Sequence, residues 1–124
     1  MRKDWEEAAK RGDAPFLAAE IFAGADIDAL DRFGQTALML AALYGHLDAV
    51  MTLIDAGANL DVTAKFGLSA TMLAVINHHG SVARALAAAG ANLRLVGTGA
   101  GFTGKSAAQL ALDIDATELA KDLA

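Results

Sequence analysis

The chain contains no cysteine, so neither a disulfide framework nor a thiolate metal site is open to it. Thiol chemistry leaves its compartment undetermined. Positive charge is also scarce. Lys and Arg number 10 against 15 Asp and Glu, giving a net charge of −5 and an isoelectric point near 4.9. Binding to a phosphate backbone draws its affinity from clustered Lys and Arg, so nucleic acid is a disfavoured partner, whereas proteins with basic or apolar faces remain compatible. Long hydrophobic runs are missing too. The amino terminus, Met1-Arg2-Lys3-Asp4-Trp5-Glu6-Glu7, lacks the apolar segment of a secretory signal, and no run approaches the roughly 20 apolar residues of a membrane span. A soluble, cytoplasmic protein with no membrane partner is the expectation. Histidine offers little metal chemistry. His78 and His79 are adjacent, so their side chains diverge on a helix, and with His46 they form no i, i+4 pair. No metal, cofactor or catalytic residue is expected, because Asp26, Asp28, Asp61, Asp113 and Asp115 fall where caps and turns use carboxylates for local backbone bonding.

What the chain does have is a repeat. Gly34 set over Gly67 carries Thr36 onto Ser69, Ala41 onto Ala74, Leu53 onto Leu86, and AGANL at 56–60 onto AGANL at 89–93, a step of 33 residues. A fixed period in the range of about 20–50 residues marks a stacked repeat protein, in which each unit buries its apolar face only against its neighbours. After Leu93 the register breaks. Gly67 finds its counterpart at Gly104, 37 residues on, so four residues are inserted in the Gly-rich stretch 96–103. The 55% apolar content is ample for one core in a chain of 124 residues, and much of it is Ala, which suits closely packed helices.

The run D-x-x-G-x-T-A-L-x-x-A-A-x-x-G-H followed by V-x-x-L-I-x-A-G-A-N resembles the ankyrin repeat, and the resemblance covers nearly the whole chain. It implies an all-α, ankyrin-like solenoid of about four helix-turn-helix repeats with short β-turn or hairpin fingers. As one domain, 1–124, its units are about 1–28, 29–61, 62–96 and 97–124. The family's Thr-Pro-Leu-His signature is altered to Thr36-Ala37-Leu38-Met39, Ser69-Ala70-Thr71-Met72 and Ser106-Ala107-Ala108-Gln109. Losing its His removes hydrogen bonds that tie loops together, which shifts stability towards packing. The resemblance also implies a non-catalytic module that binds a protein partner as a monomer, through finger tips and exposed inner-helix positions. Carried over position by position, these are Arg32, Phe33, Gln35, Leu43 and Tyr44 in the second unit, and Lys65, Phe66, Leu68, Ile76 and Asn77 in the third. Phe33, Phe66 and Tyr44 would anchor and Arg32 and Lys65 would steer, since aromatic and Arg side chains dominate interface energies. The alternative for Phe33 and Phe66 is that they fold back onto neighbouring fingers and stabilise the stack.

Local signals place the helices. Asp4 with Glu7 reads as a capping pair for a first helix ending near Arg11, with Lys3, Glu6, Glu7, Lys10 and Arg11 as the polar outer face of a terminal cap. Asp13 and Pro15 start a second helix through Phe22. Thr36 caps a third, and Gly45-His46 turns the chain into its antiparallel partner. The third unit reads as the weaker full repeat, with Thr71 in place of Leu38 and Ala87 in place of Ile54. Helices over 106–112 and 116–123 complete the chain, the latter with Asp115 and Glu118 as a capping pair. One rival reading exists. Gly99-Ala100-Gly101-Phe102-Thr103-Gly104-Lys105-Ser106 fits the phosphate-cradling pattern G-x-x-x-x-G-K-[ST], with Leu93-Arg94-Leu95-Val96 as the strand before it, although no parallel sheet stands behind it.

Overall fold

The computed structural model describes residues 1–124 and contains eight α-helices: α1 (Lys3–Arg11), α2 (Ala14–Phe22), α3 (Ala37–Leu43), α4 (Leu47–Asp55), α5 (Ala70–Ile76), α6 (Gly80–Ala88), α7 (Ala107–Asp113) and α8 (Thr117–Asp122). They form four antiparallel pairs stacked in two layers. In the inner layer α1, α3, α5 and α7 pack in sequence, and in the outer layer α2, α4, α6 and α8 do the same. There are no strands beyond a single bridge between Gly97 and Thr103.

A column of alanines sets the inner-layer spacing. Ala8, Ala41, Ala74 and Ala111 occupy one register position in the four units, and all are fully buried. Larger side chains fill the space between layers, including Leu17, Leu38, Val50, Leu53, Met72, Val82, Leu86 and Leu123. None of these helices is longer than 9 residues, too short to be stable alone in water, so the stack supplies the stability. Thr71 weakens it locally. Its hydroxyl is buried without a hydrogen-bond partner, which supports the expectation of a weaker third unit.

Caps follow the repeat closely. Thr36, Ser69 and Ser106 each accept the backbone N–H three residues on, from Met39, Met72 and Gln109. At Ser106 the Gln109 side chain returns the bond, a reciprocal pair legible in the sequence as S-x-x-Q. Asp13 caps α2 as expected, accepting from Phe16 N–H, with Pro15 in the first turn. The other two capping expectations fail. Helix α1 begins at Lys3 behind Arg2, and Asp4 lies within its first turn, pairing with the Arg2 guanidinium, which holds the Asp4 carboxyl below the usual carboxylate range. Asp115 sits in a left-handed turn at φ 60°, and α8 starts at Thr117 behind Ala116 without a side-chain cap.

Two residue types, Asp and His, supply ties between units that recur or stand at the turns. Asp28 Oδ1 accepts Asn59 N–H at 2.9 Å, and Asp61 Oδ1, one period later, accepts Asn92 N–H at 2.8 Å. His46 Nε2–H donates to Lys10 O at 2.7 Å. These bonds do the tying that the altered Thr-Pro-Leu-His signature cannot. The His46 ring also leans on the preceding turn, where a Cβ on Gly12 would lie 2.5 Å from it, and His79 leans on Gly45 in the same way at 2.5 Å. Both glycines are left-handed, at φ 78° and 77°. In the third unit His78 takes the glycine place at φ 63°, and the next unit has Ala116 where the leaning histidine would be.

Candidate partner-binding surface

Three loops, at residues 27–35, 60–68 and 93–105, project as fingers before α3, α5 and α7. The first is closed by its own polar groups. Asp31 Oδ1 accepts the N–H groups of Phe33 at 2.8 Å and Gln35 at 2.9 Å, and Asp31 N–H donates to Gln35 O at 2.9 Å. The loop therefore holds its shape without its aromatic residue. Phe33 is left 63% exposed, with the Arg32 guanidinium carbon 5.0 Å from its ring centroid. Gln35 is half-buried at the base.

Beneath this tip lies an open groove of about 530 Å³, lined by Lys3, Glu6, Glu7 and Lys10 of α1 together with Arg32 and Phe33. Of the charged residues expected to cover the terminal end of the stack, Lys3, Glu6, Glu7 and Lys10 thus face the groove. Arg11 stays outside it, paired with Asp13, and Arg2 pairs with Asp4 and Glu20. Lys10 occupies the register position of Leu43, Ile76 and Asp113, so this row passes from basic through apolar to acidic. Leu43 and Ile76 are half-buried, while Tyr44 beside them is 51% exposed. Asn77 is exposed and anchored, its Nδ2 donating to Leu73 O at 2.8 Å.

The second finger differs from the first. Leu68 is buried in the core and has no surface to offer a partner, so it drops out of the expected contact set. Phe66 is half-buried. Its backbone is left-handed at φ 65°, its ring lies 6.0 Å from that of Phe102, and its carbonyl accepts Thr98 N–H at 2.7 Å. Lys65 Nζ sits 4.9 Å from the Phe66 centroid and is exposed. Phe66 is therefore mainly a support for the third finger, and Phe33 is the free aromatic tip.

The insert is contained in that third finger. Gly97 N–H donates to Lys105 O, the same closing bond that joins 31 to 35 and 64 to 68, with four extra residues inside it. Within the phosphate-like pattern, Gly99 N–H goes to Thr103 Oγ1, Phe102 N–H to Gly99 O, Gly104 N–H to Gly97 O and Ser106 N–H to Gln109 Oε1. Lys105 Nζ lies 2.6 Å from Asp113 Oδ2. A phosphate cradle needs those N–H groups and that ammonium turned outward. Here they close the finger on itself, and residues 93–96 form no strand.

Compared with known families, the chain matches the model described as ankyrin repeats (3 copies) over residues 5–96. The chain belongs to the ankyrin-repeat family. Ankyrin repeats are generally protein–protein interaction modules. Among curated proteins the chain has no match. No helix is long and apolar enough to cross a membrane. The ankyrin register also explains the contribution of α1 to the groove, which sequence reasoning missed. Lys10 aligns with Leu43 and Ile76, both already assigned to the groove, so its place was readable.

Proposed function

We propose that this ankyrin domain binds a segment of a protein partner on its concave surface, by recognition rather than catalysis. The supporting observation is that Phe33 and Tyr44, 63% and 51% exposed, stand on the side formed by the finger tips and the inner helices. Exposed aromatics on a rigid scaffold lose little conformational freedom on binding and supply large contact area. Arg32, Lys65 and Asn77 frame them, and Leu43 and Ile76 form the apolar floor. Phe66 serves indirectly by fixing the second and third fingers relative to each other.

The test is a comparison of wild type with Phe33→Ala/Tyr44→Ala in partner capture followed by crosslink mapping. The pair of substitutions is expected to abolish capture at an unchanged melting temperature. Partners that stay bound and crosslink to α4 or α6 would place the working surface on the convex side and overturn the reading.

A further inference from the structure

We propose that the concave surface is built for an acidic, extended peptide segment, with carboxylates one unit step apart meeting Arg32 and Lys65 and apolar side chains between them. The inference rests on the concave-face reading above and adds the chemistry of the partner.

The cations of the chain are mostly neutralised. Arg2, Lys10, Arg11, Arg84, Lys105 and Lys121 each have a carboxylate oxygen within 4.0 Å, whereas Lys3, Arg32, Lys65 and Arg94 have none. Three of those four belong to the groove or to the finger tips above it. The groove lining itself is balanced, with Lys3, Lys10 and Arg32 against Glu6, Glu7 and Asp31, so the free positive charge lies at the finger tips, on Arg32 and Lys65. Each tip cation lies over the aromatic ring next to it, at 5.0 Å for Arg32 and 4.9 Å for Lys65. The ring restrains the cation without cancelling its charge.

Of the nearby carboxylates, Glu6 lies 3.5 Å from Lys10, and Asp31 is oriented by two finger N–H groups that leave its charge in place. Asp113 is held by Lys105. Glu7 and Asp31 line the groove without a cation partner, so an acidic segment would cross the tips and avoid the groove beneath the first finger.

Spacing favours a short extended segment. Arg32 and Lys65 are equivalent residues of consecutive units, and neighbouring packed helices lie roughly 8–10 Å apart. Side chains three residues apart on a polyproline-II-like segment return to one face after about 9 Å. A polyanionic nucleic acid fits less well, because the molecule as a whole carries a net charge of −5 and would repel it.

The probe is a random displayed peptide library of about twelve residues, a length matched to groove-binding segments. Selection against the wild-type domain would be followed by anisotropy titration of recovered peptides. The expected peptides carry Asp or Glu three residues apart around an apolar residue and lose binding with Tyr44→Ala. Their affinity falls about tenfold or more with Arg32→Glu/Lys65→Glu, falls with added salt, and is unchanged by Arg94→Glu, an equally unpaired cation at the stem of its finger. Peptides that need Tyr44 but show no acidic preference would overturn this inference alone. Recovery of no Tyr44-dependent peptide would overturn it together with the concave-face reading.

Discussion

Gly45 has two independent reasons to be glycine, a left-handed backbone and the His79 ring resting against its Cα. Gly45→Ala is therefore expected to destabilise by about 2 kcal/mol, since an L-residue costs roughly 1–2 kcal/mol in that conformation before any steric overlap. In denaturant unfolding, adding His79→Ala should recover only the overlap, so the double mutant is less destabilised than the sum of the singles. Strict additivity would mean that the ring does not press on the turn. Thr71 offers the opposite sign. Replacing its buried, unpartnered hydroxyl by the isosteric Val is expected to stabilise by about 1 kcal/mol and raise the melting temperature by roughly 4 °C. A lowered melting temperature would show that the hydroxyl finds a partner in solution. At this scale the sequence was informative where one role suits the residue, as for Thr36, Ser69 and Asp13. It misled at Asp4 and Asp115, because an acid near a helix start serves equally as a cap, a first-turn residue or a left-handed turn residue.

Among the elements, the fingers depart most from the repeat. The sequence pattern makes Phe33 and Phe66 equivalent, and their surroundings make them different, since only Phe66 has a longer finger folded beside it. Phe66→Ala should cost roughly 2 kcal/mol from half-buried apolar area and increase hydrogen exchange across residues 97–105. Phe33→Ala should stay within about 0.5 kcal/mol of wild type. Equal effects in thermal melts would contradict this division of labour. The period located the insert and counted its four residues, but which neighbour the extra loop leans on depends on tertiary contacts that periodicity does not encode. The same limit applies to Leu68, whose finger position reads as exposed and whose side chain turns into the core.

Over the whole molecule, charge concentrates where the stack ends. The Arg2 guanidinium lowers the Asp4 pKa, and Asp13 is lowered first by the Phe16 N–H and then by Arg11. A carboxyl with a depressed folded pKa stabilises above its unfolded value of about 3.9, and that contribution is lost as pH falls through the folded value. Asp4 is exposed and Asp13 partly so, and the effect is therefore local and screened by salt. On acidification below about pH 4, amides of α1 and α2 should lose protection before those of α3 and α5. Simultaneous loss across all four units would mean that unit one is no weaker than the middle. The number and order of the helices were legible because the period of 33 repeats a unit that resembles the ankyrin helix-turn-helix. The groove beneath the first finger was harder to see, because the charges of α1 read equally as a solvated cap and as a binding floor.

The leaning histidines give each unit a rule about its successor. A second copy of the unit at 29–61 inserted after the first would lay a histidine against Gly45, the contact that Gly45 already accepts from His79. A second copy of the unit at 62–96 would instead bring a histidine against the Cβ of His78, where Gly45 shows that even an added methyl would be too close. The array can thus be lengthened by internal duplication at its second unit and resists it at its third. The asymmetry bears on how such a chain could have grown and on where a longer version could be built.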